Sequence, residues 1–307
     1  MPLHPQCQAF LEQLAALQIP PLEQLPLEQI RAMSVPIPGE PEPVASVEDR
    51  LVSRSDGEPD VPVRVYKPST DGQPRAGLVF YHGGGWAIGE LDTYDSLCQL
   101  LANAGDCVVV SVGYRLSPEH RFPAGVEDAF AATVWVEENA AELGIDSARI
   151  VVGGDSAGGN LAAAVALMAR ERGSVSIAAQ VLVYPITNDD LDTPSYLEFG
   201  EGYMLTRRSM AWFWEQYLER PEQSADVRCS PAKADDLSGL PPAFVLTAEY
   251  DVLRDEGEAY AQAMSAAGVA VRVKRYDGMI HGFLRRTDLY DDARDAVRQI
   301  GMFVRGV

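Results

Sequence analysis

Arg149-Ile-Val-Val-Gly-Gly-Asp-Ser-Ala-Gly-Gly-Asn-Leu-Ala-Ala-Ala-Val-Ala-Leu-Met-Ala-Arg170 reads as a short apolar strand, a glycine-crowded corner and an Ala-rich helix, with Ser156 at the bend. Gly154, Ser156 and Gly158 make a Gly-x-Ser-x-Gly frame. A serine held in a strained strand-to-helix turn leaves no room for side chains two residues either side, so this is the composition a nucleophile elbow requires. The helix start beneath the serine presents unpaired N–H groups and a positive partial charge, which places the backbone N–H of Ala157 to donate to an oxyanion forming there. The plainer reading is an ordinary glycine-rich turn, and the pentapeptide alone does not separate the two.

Outward from that corner, short apolar runs rich in β-branched residues recur at Leu78–Tyr81, Cys107–Val112, Ile150–Val152, Ala179–Tyr184, Ala243–Thr247 and Val269–Tyr276. Most are separated by helical stretches, at Tyr94–Ala104, Val126–Asn139, Leu161–Arg172 and Glu256–Ala267. Strands alternating with helices predict an α/β fold, a mostly parallel central sheet with helices on both faces, whose functional sites gather at the carboxyl ends of the strands. Upstream, Leu51–Arg54 and Val61–Tyr66 flank Asp56-Gly57 and predict an antiparallel edge hairpin.

Two segments stand outside the alternation. Residues 5–34 carry Phe10, Leu11, Leu14 and Leu17 at helical spacing, then Pro20-Pro21 and a second amphipathic piece from Leu27 to Met33; Pro36, Pro38, Pro41 and Pro43 follow as an extended connector. The strands ending at Tyr184 and starting at Ala243 are nearly sixty residues apart, longer than a plain crossover. Tyr196, Phe199, Tyr203, Trp212, Phe213, Trp214 and Tyr217 concentrate there, as pocket lining or as the core of a small helical insert. Both segments have apolar faces without a partner of their own, which predicts that they pack together over Ser156.

The 307 residues suffice for one large α/β domain with an accessory layer. A formal net charge of −20 speaks against nucleic acid and anionic membrane surfaces as partners, and is otherwise a solubilising surface. Cys7, Cys98, Cys107 and Cys229 show neither a C-x-x-C pair nor a dense framework, so reduced thiols are expected, with no metal cluster. The N-terminus lacks a basic region followed by an apolar one, and no apolar run reaches spanning length, so a cytoplasmic location is expected.

A nucleophilic serine needs a base, and the chain has only four histidines. His4 lies in an expected frayed terminus, His82 opens His-Gly-Gly-Gly-Trp directly after a strand, and His120 falls in a proline-bounded loop. His281 follows the last strand, at a carboxyl end, where a base for Ser156 belongs. The base in turn needs a carboxylate to fix its tautomer. The turn after Ala243–Thr247 offers Glu249, Asp251, Asp255 and Glu256. Asp251 sits in the turn itself, whereas Asp255 and Glu256 are expected a turn into the helix and facing away from the strand ends; the competing role for Asp251 is a helix N-cap. His82-Gly-Gly-Gly-Trp86 lets backbone approach a bound substrate closely, and the N–H groups of Gly83 and Gly84 are the expected companions of Ala157. No G-x-G-x-x-G or Walker frame supports a phosphate site. Trp86, Tyr184, Tyr203 and Trp212 are the expected pocket residues.

Together these stretches resemble the hormone-sensitive-lipase-like branch of the α/β-hydrolases, the bacterial esterases of family IV. The match runs through His82-Gly-Gly-Gly-Trp86, Tyr114-Arg-Leu-Ser-Pro-Glu119 with Phe122-Pro-Ala124, Gly154-Asp-Ser-Ala-Gly158, Asp251-Val-Leu-Arg-Asp-Glu-Gly257 and His281-Gly-Phe283. Ser156, Asp251, His281 is the chain order of the α/β-hydrolase triad. Val252 departs from the family's proline, and Ser117 from its alanine. The resemblance implies hydrolysis of small carboxylic esters of short to medium chain, with Ser156 as nucleophile, His281 as acid/base and Asp251 as its orienter. It implies no cofactor and no metal, and a possible homodimer. It also implies a cap from residues 1–45 and 188–225 over a core of 46–187 and 226–307. Amidase, lactonase and acyl-transfer chemistry share the same triad, and receptor members of the branch have lost the base, which is intact here.

Overall fold

The computed structural model describes residues 2–34, 36, 42–54 and 56–307; of the proline connector, Pro38 and Pro41 lie outside the described residues. Eight strands form one sheet: β1 (Ser46–Val52), β2 (Val61–Lys67), β3 (Arg75–Tyr81), β4 (Val108–Val112), β5 (Ile145–Asp155), β6 (Ala179–Val183), β7 (Ala243–Tyr250) and β8 (Val271–Ile280). Their order across the sheet is β1-β2-β4-β3-β5-β6-β7-β8; β2 pairs antiparallel with β1 and β4, and every other pairing is parallel. The edge hairpin is present, with its first strand starting at Ser46 rather than Leu51.

The helices are α1 (Pro5–Ala16), α2 (Leu27–Met33), α3 (Asp95–Gly105), α4 (Ala124–Glu138), α5 (Ala140–Leu143), α6 (Ala157–Arg172), α7 (Pro194–Phe199), α8 (Arg207–Tyr217), α9 (Arg254–Ala266) and α10 (Asp291–Arg305). The apolar runs of the central strands follow from burial on both faces. In β5, Val152 belongs to the core that α4 and α6 cover, and Val151 to the opposite core beneath α3 and α10. α10 was not anticipated from the sequence. Ala293, Ala296, Val297, Ile300, Gly301 and Val304 are its buried residues, a helical spacing diluted by the charges between them.

The long connection between β6 and β7 holds α7 and α8, and Thr206 caps α8 by accepting from the N–H of Ser209 at 3.0 Å. The N-terminal segment divides. The turn Leu22–Gln24 lies against α8, and Arg31 of α2 reaches both oxygens of Glu119 and the carbonyls of Ala87 and Ser117. α1 instead packs against β8 and α10, with Cys7 fully buried beside Met279 and Phe10 edge-on to Tyr290 at 6.2 Å. The expected frayed terminus at His4 is corrected: its N–H donates to Gly278 O, and its Nδ1 accepts from Gln6 N as the cap of α1. Cys7, Cys98, Cys107 and Cys229 are free thiols and all buried. Among the described residues no helix is long and apolar enough to cross a membrane.

Candidate active site

Ser156 stands between the last residue of β5 and the first of α6, with φ 57° and ψ −118°. Only a tightly determined corner holds a non-glycine residue in that region. A Cβ on Gly158 would lie 1.9 Å from the carbonyl oxygen of Tyr81, and one on Gly154 would lie 2.4 Å from both Tyr81 O and the backbone of Gly158. The two glycines of the frame are therefore fixed by close packing of α6 and β5 against the end of β3. The serine N–H donates to Val183 O at 2.9 Å, tying the corner to β6.

His281 leaves β8 and points its Nε2 at Ser156 Oγ, 3.0 Å away; its Nδ1 lies 2.7 Å from Asp251 Oδ2. An ionised carboxylate only accepts, so Nδ1 carries the proton, and Nε2 of the neutral ring accepts from the serine hydroxyl. Asp251 is 1 % exposed, and its second oxygen accepts from Leu253 N at 3.0 Å. It thus closes the turn before α9 while holding the imidazole, so the N-cap-like role and the histidine contact belong to the same side chain. The flank of His281 is covered by Tyr184, whose ring centroid is 4.7 Å away. The other acids of this turn are placed elsewhere. Asp255 and Glu256 lie in the first turn of α9, not one turn further in. Asp255 accepts from Ser195 N at 2.8 Å, and Ser195 Oγ donates to the carbonyl of Val252, so α7 is clasped to the turn that carries Asp251. Glu256, expected to face away, is buried and accepts from the N–H groups of Thr187 and Asn188 in the loop after β6; burial pushes its carboxyl well above the usual range.

The glycine loop after β3 corrects one assignment. The N–H of Gly83 is already engaged, donating to Asp155 Oδ1 and to Tyr94 Oη, both at 2.9 Å, so it does not face a substrate. The N–H groups of Gly84, Gly85 and Ala157 donate to no acceptor among the described residues. Gly84 and Gly85 have φ 119° and 57°, and a Cβ on Gly85 would overlap the Phe213 ring of α8 at 2.1 Å. His82 lies beneath this loop, stacked on Tyr114 at 4.3 Å, with its Nδ1–H donating to Gly83 O. Burial pushes it down to about 4, so it stays neutral and shapes the loop.

Trp86 is 1 % exposed, stacked parallel to Tyr217 at 4.1 Å and tilted against Trp214 at 4.8 Å. Its indole N–H donates to Asn160 Oδ1, and Asn160 Nδ2 donates to the carbonyls of Ile186 and Cys229. One residue of α6 therefore ties the glycine loop to the chain entering and leaving the insert. Asn160 escaped the sequence reading, although a lone amide one turn past the serine in an Ala-rich helix was a signal. Tyr203 packs edge-on to Phe199 and against Tyr250, the residue before Asp251, and half-buried Trp212 packs edge-on to Phe213. Trp86→Ala is expected to cost about 3–5 kcal/mol, as truncating a buried aromatic does, and to loosen α8 as well. Denaturant unfolding with the wild-type chain alongside checks this, and an unchanged midpoint contradicts it.

This sheet, with a serine at its central strand-to-helix bend, is the α/β-hydrolase fold. A family described as alpha/beta hydrolase fold matches residues 78–285. The chain is 46% identical to the carboxylic ester hydrolase LipN of Mycobacterium tuberculosis over 261 residues, 83% of this chain and 68% of that one. It is 36% identical to an ethyl acetate hydrolase of Pseudomonas putida, covering 97% of this chain and 96% of that one. A hyperthermophilic esterase from Pyrobaculum calidifontis superimposes with a TM-score of 0.91 at 41% identity, over 100% of this chain and 99% of that one. The chain belongs to the hormone-sensitive-lipase-like branch of the α/β-hydrolases, bacterial family IV, and is a carboxylic ester hydrolase.

Proposed function

We propose that the protein hydrolyses short- to medium-chain carboxylic esters by acyl transfer through Ser156, with His281 and Asp251 completing the triad. The observation that carries this reading is the pair of hydrogen bonds running from Ser156 Oγ through His281 to Asp251 at the carboxyl ends of the strands. As Oγ attacks the ester carbonyl, its proton passes to Nε2, and the buried Asp251 carboxylate stabilises the imidazolium. The carbonyl oxygen becomes an oxyanion that receives the N–H groups of Ala157, Gly84 and Gly85. Collapse expels the alcohol, protonated from Nε2. Water, deprotonated by the same nitrogen, attacks the acyl-enzyme, and the acid leaves.

α8 and the Leu22–Gln24 turn form the cap in this reading, with Phe213 against the glycine loop and Tyr184 against His281 as parts of the pocket wall. Tyr203 and Trp212 shape it from behind Tyr250 and Phe213. The small acyl and alcohol groups named for the Pseudomonas putida relative support the short-chain end of the range. An alkyl phosphonate ester is expected to add once, at Ser156, by peptide mass mapping. In a panel of p-nitrophenyl esters, kcat/KM is expected to peak at short to medium acyl length. A label elsewhere, or a peak among long chains, refutes the corresponding half of the proposal.

A further inference from the structure

A charged side chain that the mechanism does not use lies behind the glycine loop. Arg285, four residues after the base, stacks its guanidinium over the Tyr94 ring, Cζ to centroid 4.5 Å. Its Nε is buried and meets no hydrogen-bond partner among the described residues. The residue as a whole is part-buried, so it is this one N–H of the guanidinium that is withdrawn from water unpaired, which is costly unless something compensates it. The hydroxyl of the same Tyr94 donates to Asp155 Oδ2 at 3.1 Å. The other oxygen of Asp155 takes the N–H of Gly83, and the same tyrosine oxygen also accepts from Gly83. A Cβ on Gly83 would lie 2.7 Å from Asp155 Oδ2, so the loop rests directly on this carboxylate.

We propose that Arg285 is a positioning residue for the oxyanion loop. Its guanidinium, acting across Tyr94, keeps the Asp155 carboxylate ionised. The ionised carboxylate holds Gly83 so that the N–H groups of Gly84 and Gly85 remain turned to the substrate. The inference rests on the oxyanion reading of those two glycines.

Asp155 is fully buried, and burial raises its pKa. Arg285 is the leading influence in the other direction, followed by the Tyr94 and Gly83 hydrogen bonds and by His281. The remaining titratable groups around the carboxylate are Cys98 on α3, Tyr114, Tyr184 and His82. All are neutral at working pH: burial lifts the thiol to about 12 and the tyrosines well above their ordinary value, and drops His82 to about 4. Arg285 is therefore the one permanent cation among these groups. Asp155 itself is withdrawn from water, so a neighbouring cation's field at that carboxylate is stronger than it would be at the surface. The sign follows: without Arg285 the carboxyl pKa rises further, so the protonated fraction at a given pH grows. A protonated Asp155 offers Gly83 a neutral acceptor in place of a charge-assisted one, which is roughly half as strong.

The experiment measures kcat and KM for a soluble short-chain ester against pH, in low and high salt, for wild type, Arg285→Met, Arg285→Lys, Asp155→Asn and the Met/Asn double variant. Arg285→Met is expected to lose kcat from a higher pH than wild type on the acid side, by about tenfold at the bottom of the wild-type plateau, with KM little changed in either salt. Arg285→Lys is expected to restore the profile. The double variant is expected to match Asp155→Asn. If Arg285→Met does not fold, Arg285→Gln replaces it, keeping a planar polar group without the charge. A profile in the uncharged variant that superimposes on wild type after scaling overturns the role of Arg285, as does full additivity in the double variant. An Asp155→Asn enzyme with wild-type kcat instead overturns the support given to the oxyanion loop, which separates the two failures.

Discussion

Ser156→Ala is expected to fold as the parent does and to lose roughly 10⁶-fold in kcat, the order reached when a hydrolase loses its triad serine. Stability is expected to be little affected. The hydroxyl's contact is the one with His281 Nε2, and the corner itself is held by backbone, through the N–H of residue 156 to Val183 O and the glycines packed on Tyr81. Removing Oγ also relieves nothing of the positive φ, which an alanine must adopt in its place. What disappears is the hydroxyl held at the helix start. The Ala157, Gly84 and Gly85 N–H groups remain, so the variant should keep a residual rate above the buffer reaction and still bind ester. Steady-state hydrolysis, with unfolding curves taken on the same preparations, tests this. Substantial activity in a folded, contaminant-free Ser156→Ala enzyme ends the acyl-enzyme mechanism.

How far the sequence could be read depended on whether a feature was local. The elbow was legible because its sterics are local: two glycines, a serine and a helix start within a few residues. The side chains that the structure brings together, Ser156, His281 and Asp251, were legible because four histidines and one acid-bearing turn left few combinations. The strands were legible from continuous apolar runs, since parallel strands are buried on both sides. Gly83 shows where this ends. Three consecutive glycines look equivalent in a sequence, and which N–H groups remain available was decided by Asp155 and Tyr94, brought in from 72 and 11 residues away. Trp86 likewise sits beside the glycine loop in sequence, yet Tyr217 and Asn160 determine where its ring lies. The N-terminal helices were recognisable by their apolar faces, but a face does not say what it covers. α1 found Met279 and Tyr290 on the far core, while the Leu22–Gln24 turn reached α8.

Asp251→Asn is expected to cost about 10⁴-fold in kcat, the loss that the same change causes in a serine protease triad, while Asp255→Asn is expected to cost far less. The two carboxylates are four residues apart and do different work. Asp251 accepts from the Nδ1–H of His281 at 2.7 Å. An asparagine there can turn its NH₂ toward the ring, which then places its own proton on Nε2. That nitrogen no longer accepts from Ser156, and the imidazolium loses its counter-charge. The turn should survive, because the asparagine oxygen can still take the Leu253 N–H that now bonds to Oδ1. Asp255 instead receives Ser195 N and Arg254 Nε, holding the first turn of α7 against α9. Its amide variant keeps an acceptor for Ser195, so the expected change is a modest loss of stability and a shift in KM as the insert loosens. The chemical step is measured by the burst of alcohol from an activated ester, which separates acylation from later steps. A collapse of acylation in Asp255→Asn with Asp251→Asn nearly intact, both folded, transfers the orienting role to Asp255.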